Sequence, residues 1–237
     1  MNRAEKATLQ LRAVAVLRML KETRTYDELA DTTGFPAGDL NRYVNGHVLP
    51  GVDRAQSLLA SIGPNEIAHE LERRIERDEE GYIDNSAIVF DQRLLDLIAP
   101  IAAEQFALES PDVVLTAATD GITFGSAIAR YFDANIAYAK KSKETAVEQF
   151  IEARSRLQSG IELTYYLPAR AIDRDERVLI VDDLIRSGET QELLLDIAEH
   201  AQATVCGVCT LIAVGSDGID IARDRTNAPV GSLLTIE

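Results

Sequence analysis

The sequence predicts two folded parts, an all-helical unit over residues 1–75 and an α/β unit with a mostly parallel β-sheet over residues 84–237. Three observations carry this prediction. Residues 1–75 show helical spacing throughout and no strand pattern. From Asp84 onward, apolar runs of strand length alternate with helical segments, the pattern of parallel strands covered on both faces. Between them, residues 76–83 are mostly charged and turn at Gly81, which reads as a linker. With 237 residues, the chain has room for two domains of about 100 to 200 residues or less.

The first helix comes from "TLQLRAVAVLRML", which places Leu9, Leu11, Val14, Val16, Leu17 and Leu20 mostly on one broad face. Next, "YDELADTTGFPAGDLNRYVNG" predicts two short helices joined at Gly34. Leu29, Leu40, Tyr43 and Phe35 take inward positions, and Ala30 is small enough for the helices to cross closely. Gly34 suits a left-handed turn, and Pro36 suits the opening of the second helix.

In that frame Ala37, Gly38, Asn41, Arg42 and Asn45 face outward on the second helix. Asn and Arg side chains can pair bidentately with adenine and guanine edges in the major groove, so Asn41 and Arg42 are the first candidates for base reading. The following "NGHVLPGVDRAQSLLASIG" supplies a Gly, a Pro and another amphipathic helix, with His47 and Arg54 as candidate phosphate contacts. This order resembles the lambda-repressor type of helix-turn-helix. The resemblance implies double-stranded DNA as a partner and a homodimer, because such modules read two-fold symmetric sites. A glycine turn between two helices also occurs in bundles that carry no DNA.

In the second part, the strands are "DVVLTAA", "NIAYAKK", "ELTYYLPA", "RVLIVDD", "TVCGVCTLIAV" and "GSLLTI". Helices are expected at Gln92–Ala107, Ile122–Phe132 and Thr190–His200. The segment "ETAVEQFIEARSRLQSG" has helical spacing.

Ligands of parallel sheets bind beyond the carboxyl ends of strands, where helix starts present free N–H groups. "RVLIVDD" ends there and "RSGET" supplies the turn. Backbone amides from Ser187 to Thr190, with Arg186, Gly188 and Glu189 in the same turn, can wrap a phosphate. Asp182 and Asp183 stand beside it, placed to accept hydrogen bonds from two neighbouring sugar hydroxyls. A receiver domain also ends a strand in acidic residues, but near the domain's start and without such a turn.

These residues resemble the phosphoribosyl pyrophosphate motif of type I phosphoribosyltransferases. The resemblance extends to "TAATDGITFGSAIA", where it implies pyrophosphate binding by Thr119, Asp120 and Gly121, and to "NIAYAKKSKE", where Lys140 and Lys141 take the family's basic pair. It further implies that Ser142–Gly160 is a mobile loop, and that Mg²⁺ can join Asp182 and Asp183 when a pyrophosphate ligand is present. No cofactor is otherwise required. After Tyr166 the chain has no Phe, Tyr or Trp, and a planar base usually stacks on an aromatic ring. Tyr165 or Tyr166 could supply one. On this ground, and because the helical spacing of Glu144–Gly160 departs from the family's mobile loop, the domain is expected to bind a phosphorylated effector without catalysing.

The formal charge of −15 sits almost wholly in the second part: Met1 to Ile62 holds eight Lys or Arg against seven Asp or Glu. An N-terminal module can therefore meet DNA while the remainder repels it. Only five of the 24 basic residues are lysine, a composition similar to proteins of salt-loving archaea, although ordinary solubility charge gives the same picture. Cys206 and Cys209 lie in an apolar run, and His47, His69 and His200 show no ligand spacing, so the cysteines read as core residues. No apolar stretch reaches the roughly 18 residues of a membrane helix, and a cytoplasmic protein without membrane contact is expected.

A helix-turn-helix followed by a phosphoribosyltransferase-like domain resembles two sets of regulators, the winged bacterial purine repressors and the archaeal GfcR family of sugar-catabolism regulators. The helical N-terminal unit and the composition favour the second. That resemblance implies transcription regulation driven by a phosphorylated sugar or sugar-acid effector. The alternatives are a nucleotide-salvage phosphoribosyltransferase with an accessory helical domain, and a regulator that senses phosphoribosyl pyrophosphate.

Overall fold

The computed structural model describes residues 1–156 and 162–237, and the chain divides into two compact units, Met1–Arg73 and Arg74–Glu237. The first is all-helical, with α1 (Arg3–Lys21), α2 (Tyr26–Thr33), α3 (Ala37–Val44), α4 (Val52–Ser61) and α5 (Pro64–Glu72). Asn2 with Glu5, and Thr25 with Glu28, form reciprocal capping boxes that satisfy the first amides of α1 and α2. Helix α2 stops where Gly34 turns left-handed at φ 72°. Leu17, Leu20, Leu29, Leu40, Leu58 and Leu71 are fully buried between the helices. Leu11, read as part of the inward face of α1, is instead 57% exposed. It lies six positions before Leu17, and at about 100° per residue it falls off the buried stripe.

The second unit opens with a small antiparallel hairpin, β1 (Glu76–Arg77) and β2 (Ile83–Asp84), where the sequence suggested a linker. Its turn is held by the Asp78 carboxylate, which accepts from the amides of Glu80 and Tyr82. Helices α6 (Ser86–Val89) and α7 (Gln92–Gln105) follow. Then come β3 (Val113–Ala117), α8 (Gly121–Phe132), β4 (Asn135–Ala139), β5 (Phe150–Arg156), β6 (Glu162–Pro168), β7 (Arg177–Ile185), α9 (Glu189–His200), β8 (Thr204–Val214), α10 (Asp217–Arg225) and β9 (Val230–Ile236).

Five strands form one sheet in the order β4-β3-β7-β8-β9, every neighbouring pair parallel. Leu115 and Ile180 pack with Leu193 and Ile197 of α9 on one face. On the other face Thr116 lies under Gly125 of α8. The apolar strands that the sequence showed are thus covered on both sides.

The segment read as helical departs from that expectation, because Phe150–Arg156 is a strand paired antiparallel with β6. Ile151 and Ala153 alternate onto the core that Leu163, Tyr165 and Leu167 also reach, so a period of two wins over the helical spacing. The tip of the suggested mobile loop, residues 157–161, lies outside the described residues. Cys209 is fully buried in β8, and burial pushes its thiol up to about 12. Among the described residues no helix is long and apolar enough to cross a membrane.

Candidate functional site

Because β4, β3 and β7 are parallel neighbours, their carboxyl ends open on one edge of the sheet. That edge collects Lys140 and Lys141 after β4, Thr119–Gly121 after β3, and the acidic pair with its turn on β7. Strand β7 runs on through Asp182 and Asp183 to Ile185, two residues beyond the sequence expectation. Arg186 and Ser187 are exposed, Gly188 turns at φ 79°, and α9 starts at Glu189 without a side-chain cap. Its first amides are therefore left to a ligand or to water.

Asp182 is 5% exposed and fully engaged. Its Oδ2 accepts from Gln191 Nε2 at 2.7 Å, and its Oδ1 from the Asp183 amide at 3.1 Å. Burial, and then the neighbouring charge of Asp183, hold its carboxyl well above the usual carboxylate range. Asp183 is half-buried and accepts from Asn85 Nδ2 at 2.7 Å.

The first loop touches this pair directly. A Cβ on Gly121 would lie 2.3 Å from Thr116 Oγ1 and 2.6 Å from Asp182 Oδ1, so only glycine fits at the start of α8. Thr119 and Asp120 are exposed beside it. The turn on β7 is backed by α10: a Cβ on Gly218 would meet Arg186 O at 2.7 Å and the Gly188 amide nitrogen at 2.9 Å.

The basic pair is placed differently. Lys140 exchanges both backbone hydrogen bonds with Tyr166, while its ammonium pairs with Glu144 and lies 5.1 Å over the Tyr138 ring. Lys141 is exposed. Tyr165 is buried in the core, and Tyr166 packs edge-on against Phe150 at 6.2 Å. Tyr165 is closed off by burial, and the Lys143 ammonium lies 5.0 Å over the half-buried Tyr166 ring. Tyr82 is 59% exposed, with the Arg186 guanidinium 5.8 Å over its ring.

Asn85, Gln191, Tyr82 and Gly218 were not singled out in the sequence. Gln191 alone carried a signal, a polar residue on the inner face of an otherwise apolar helix. Among the described residues no group of three or more His, Cys, Asp or Glu forms a cation cage. A divalent ion here would take most of its ligands from a bound pyrophosphate, with Asp183 as the more accessible carboxylate.

In the helical unit, Gly38, Asn41, Arg42, Asn45 and His47 are exposed and Ala37 half-buried along or just after α3. Asn45 Nδ2 donates to Asn41 O and to the Tyr26 hydroxyl. The Arg54 guanidinium donates to Asp39 at 2.9 Å and to the Tyr43 hydroxyl at 2.8 Å.

Comparison with known proteins places this geometry. A family model described as phosphoribosyl transferase domain matches residues 85–228. The chain is 32% identical over 157 residues to xanthine phosphoribosyltransferase of Clostridioides difficile, covering 62% of this chain and 79% of that protein. It is 26% identical over 157 residues to the purine biosynthesis transcriptional repressor PurR of Bacillus subtilis, covering 66% of this chain and 53% of that protein. Adenine phosphoribosyltransferase of Rhodothermus marinus superposes with a TM-score of 0.63 at 24% identity, over 73% of this chain and 99% of that structure.

The expectation of a domain without catalysis is overturned by these relatives, most of which are enzymes. It rested on the lack of an aromatic after Tyr166 and on the helical spacing of residues 144–160, of which Phe150–Arg156 is instead a strand. With the acidic strand end, the uncapped helix start and the glycine-tight first loop on one edge, and the family model spanning more than half its length, this chain belongs to the phosphoribosyl transferase domain family.

Proposed function

We propose that this chain transfers the 5-phosphoribosyl group of phosphoribosyl pyrophosphate to a purine-type base, releasing pyrophosphate. The observation that carries this reading is the continuity of Asp182 and Asp183 with the uncapped start of α9, closed from the opposite side by Gly121. The amides of Ser187 to Thr190 hold the 5-phosphate, and Asp183 accepts from a ribose hydroxyl. Thr119, Asp120 and Gly121 present backbone groups to the pyrophosphate, with Lys140 and Lys141 as nearby positive charge on the same edge. Mg²⁺, bound with the pyrophosphate, neutralises charge on the leaving group. Tyr82 offers the aromatic face for a planar base. Support for a purine-type acceptor comes from the xanthine and adenine phosphoribosyltransferases among the relatives.

The test is pyrophosphate release by the full chain given phosphoribosyl pyrophosphate, Mg²⁺ and xanthine, adenine, guanine or hypoxanthine in turn. Turnover with at least one base is expected. Binding of phosphoribosyl pyrophosphate with no turnover on any base would sink the transferase reading.

A second reading concerns the helical unit and is compatible with the first. The exposed Asn41, Arg42 and Asn45 on α3, together with the repressor relative, support a helix-turn-helix that binds double-stranded DNA as a homodimer. Its effector would be phosphoribosyl pyrophosphate, or a phosphorylated sugar or sugar acid of central sugar catabolism, held at the same strand end. A ligand shifts DNA binding only if it favours one conformation over another. DNA retention on genomic fragments, with each ligand added in turn, tests this; no specific retention under any condition overturns it.

A further inference from the structure

The strand end is gripped from outside the sheet. Asn85 occupies the N-cap position of α6, where an Asn side chain ordinarily accepts from an amide two or three residues on. Here it makes no cap hydrogen bond. Its Nδ2 instead donates to Asp183 Oδ2, 98 residues away in sequence, at 2.7 Å. The direction of the amide is fixed by chemistry, because an ionised carboxylate only accepts and the amide oxygen could not take this place. Three residues earlier, Tyr82 lies over the Arg186 guanidinium at 5.8 Å. The segment is thus held at both ends of the stretch Asp183–Arg186, which limits how far Asn85 can shift.

We infer that Asn85 is a positioning residue for the reaction, pinning the Asp183 carboxylate through Oδ2 so that Oδ1 meets a ribose hydroxyl of phosphoribosyl pyrophosphate in a fixed direction. This rests on the ligand assigned under the proposed function. A carboxylate on a strand end can otherwise rotate about its terminal torsion, which is broad and weakly held. A donor on one oxygen removes that freedom before the ligand arrives, and the affinity gained is that of a pre-organised acceptor.

The decisive pair of variants is Asn85→Asp and Asn85→Ala. Asp keeps the shape of Asn but replaces the donor with a second acceptor facing Asp183. If Asn85 only filled space, Asp would be the milder change. If it pins Asp183, Asp is the harsher one. Calorimetric titration with phosphoribosyl pyrophosphate and Mg²⁺ is expected to show about a tenfold loss of affinity for Asn85→Ala, the scale of one hydrogen bond to a charged group, and a larger loss for Asn85→Asp. In steady state the KM for phosphoribosyl pyrophosphate rises while the KM for the base stays within twofold.

The second arm uses Asp183→Asn. In that background, Asn85→Ala is expected to change affinity by less than about twofold, because the partner it acts through has been altered. A wild-type protein that binds phosphoribosyl pyrophosphate, with Asn85→Asp unchanged or with additive losses in the double variant, overturns the positioning role alone. A wild-type protein that does not bind it overturns the ligand assignment, and this inference with it.

Discussion

Gln191 donates its side-chain amide to Asp182 at 2.7 Å from a position that is 1% exposed. The carboxyl it meets is buried beside a second acid, and both burial and that charge raise its affinity for a proton. The hydrogen bonds from the Asp183 backbone amide and the Gln191 side chain do not offset this. Negative charge on Asp182 is therefore costly to the fold.

The sign of that cost can be measured. A carboxyl whose folded pKa lies above its unfolded value near 3.8 contributes most to stability at low pH, and the contribution is lost as pH rises through the folded value. At neutral pH, Asp182→Asn is expected to unfold about 2–4 °C above wild type, with the difference shrinking toward pH 4. The same variant is expected to lose affinity for phosphoribosyl pyrophosphate. Thermal denaturation at pH 7 and pH 4 decides it, and a variant less stable at pH 7 would contradict the argument.

Gly121 ties the first loop to the same carboxyl. A methyl group there would stand 2.3 Å from Thr116 Oγ1 and 2.6 Å from Asp182 Oδ1. Both atoms belong to sheet strands with little room to move, so Gly121→Ala is expected to cost about 1–3 kcal/mol of stability, as overpacking does. Displacing the loop should also reduce kcat/KM on the order of 100-fold. Activity retained within twofold would show that the loop and the acidic pair do not act together.

Gly218 tests the phosphate turn from behind. Its Cβ would press on the Arg186 carbonyl at 2.7 Å and on the Gly188 amide at 2.9 Å, moving the turn while leaving Asp182 and Asp183 in place. Gly218→Ala is expected to raise the KM for phosphoribosyl pyrophosphate by about tenfold or more with little change in the KM for the base. Equal effects on both substrates would argue against a turn devoted to the phosphate.

Much of this site was legible because its signals are local. "VLIVDD" followed by "RSGET" reads as a strand, an acidic pair and a turn without knowledge of any partner, and the same holds for the glycine after β3. What could not be read depends on contacts far apart in the chain. Nothing in the sequence around Asn85 points to Asp183, and nothing around Gly218 points to Arg186. Strand β5 was mistaken for helix because Phe150, Ile151, Ala153 and the charges between them satisfy both periods in a short window. Pairing with β6 settled it. Alternation alone also could not say that Tyr165 turns into the core while Tyr166 packs on Phe150.

The helical unit separates two kinds of basic residue, and this gives the last prediction. Arg42 is exposed on α3 near Asn41, and its guanidinium has no hydrogen-bond partner among the described residues. Arg54 is committed to Asp39 and the Tyr43 hydroxyl, and Tyr43 is itself buried in the bundle. Asn41→Ala and Arg42→Ala are expected to weaken specific DNA retention by about 1–3 kcal/mol each, with no effect on turnover or melting temperature. Arg54→Ala should instead lower the melting temperature of the helical unit and leave the salt dependence of DNA binding nearly unchanged, since a guanidinium already paired neutralises little phosphate charge. Binding measured across a salt series distinguishes the two. A fall of about one in the salt slope for Arg54→Ala, with stability unchanged, would show that Arg54 leaves Asp39 to contact the backbone.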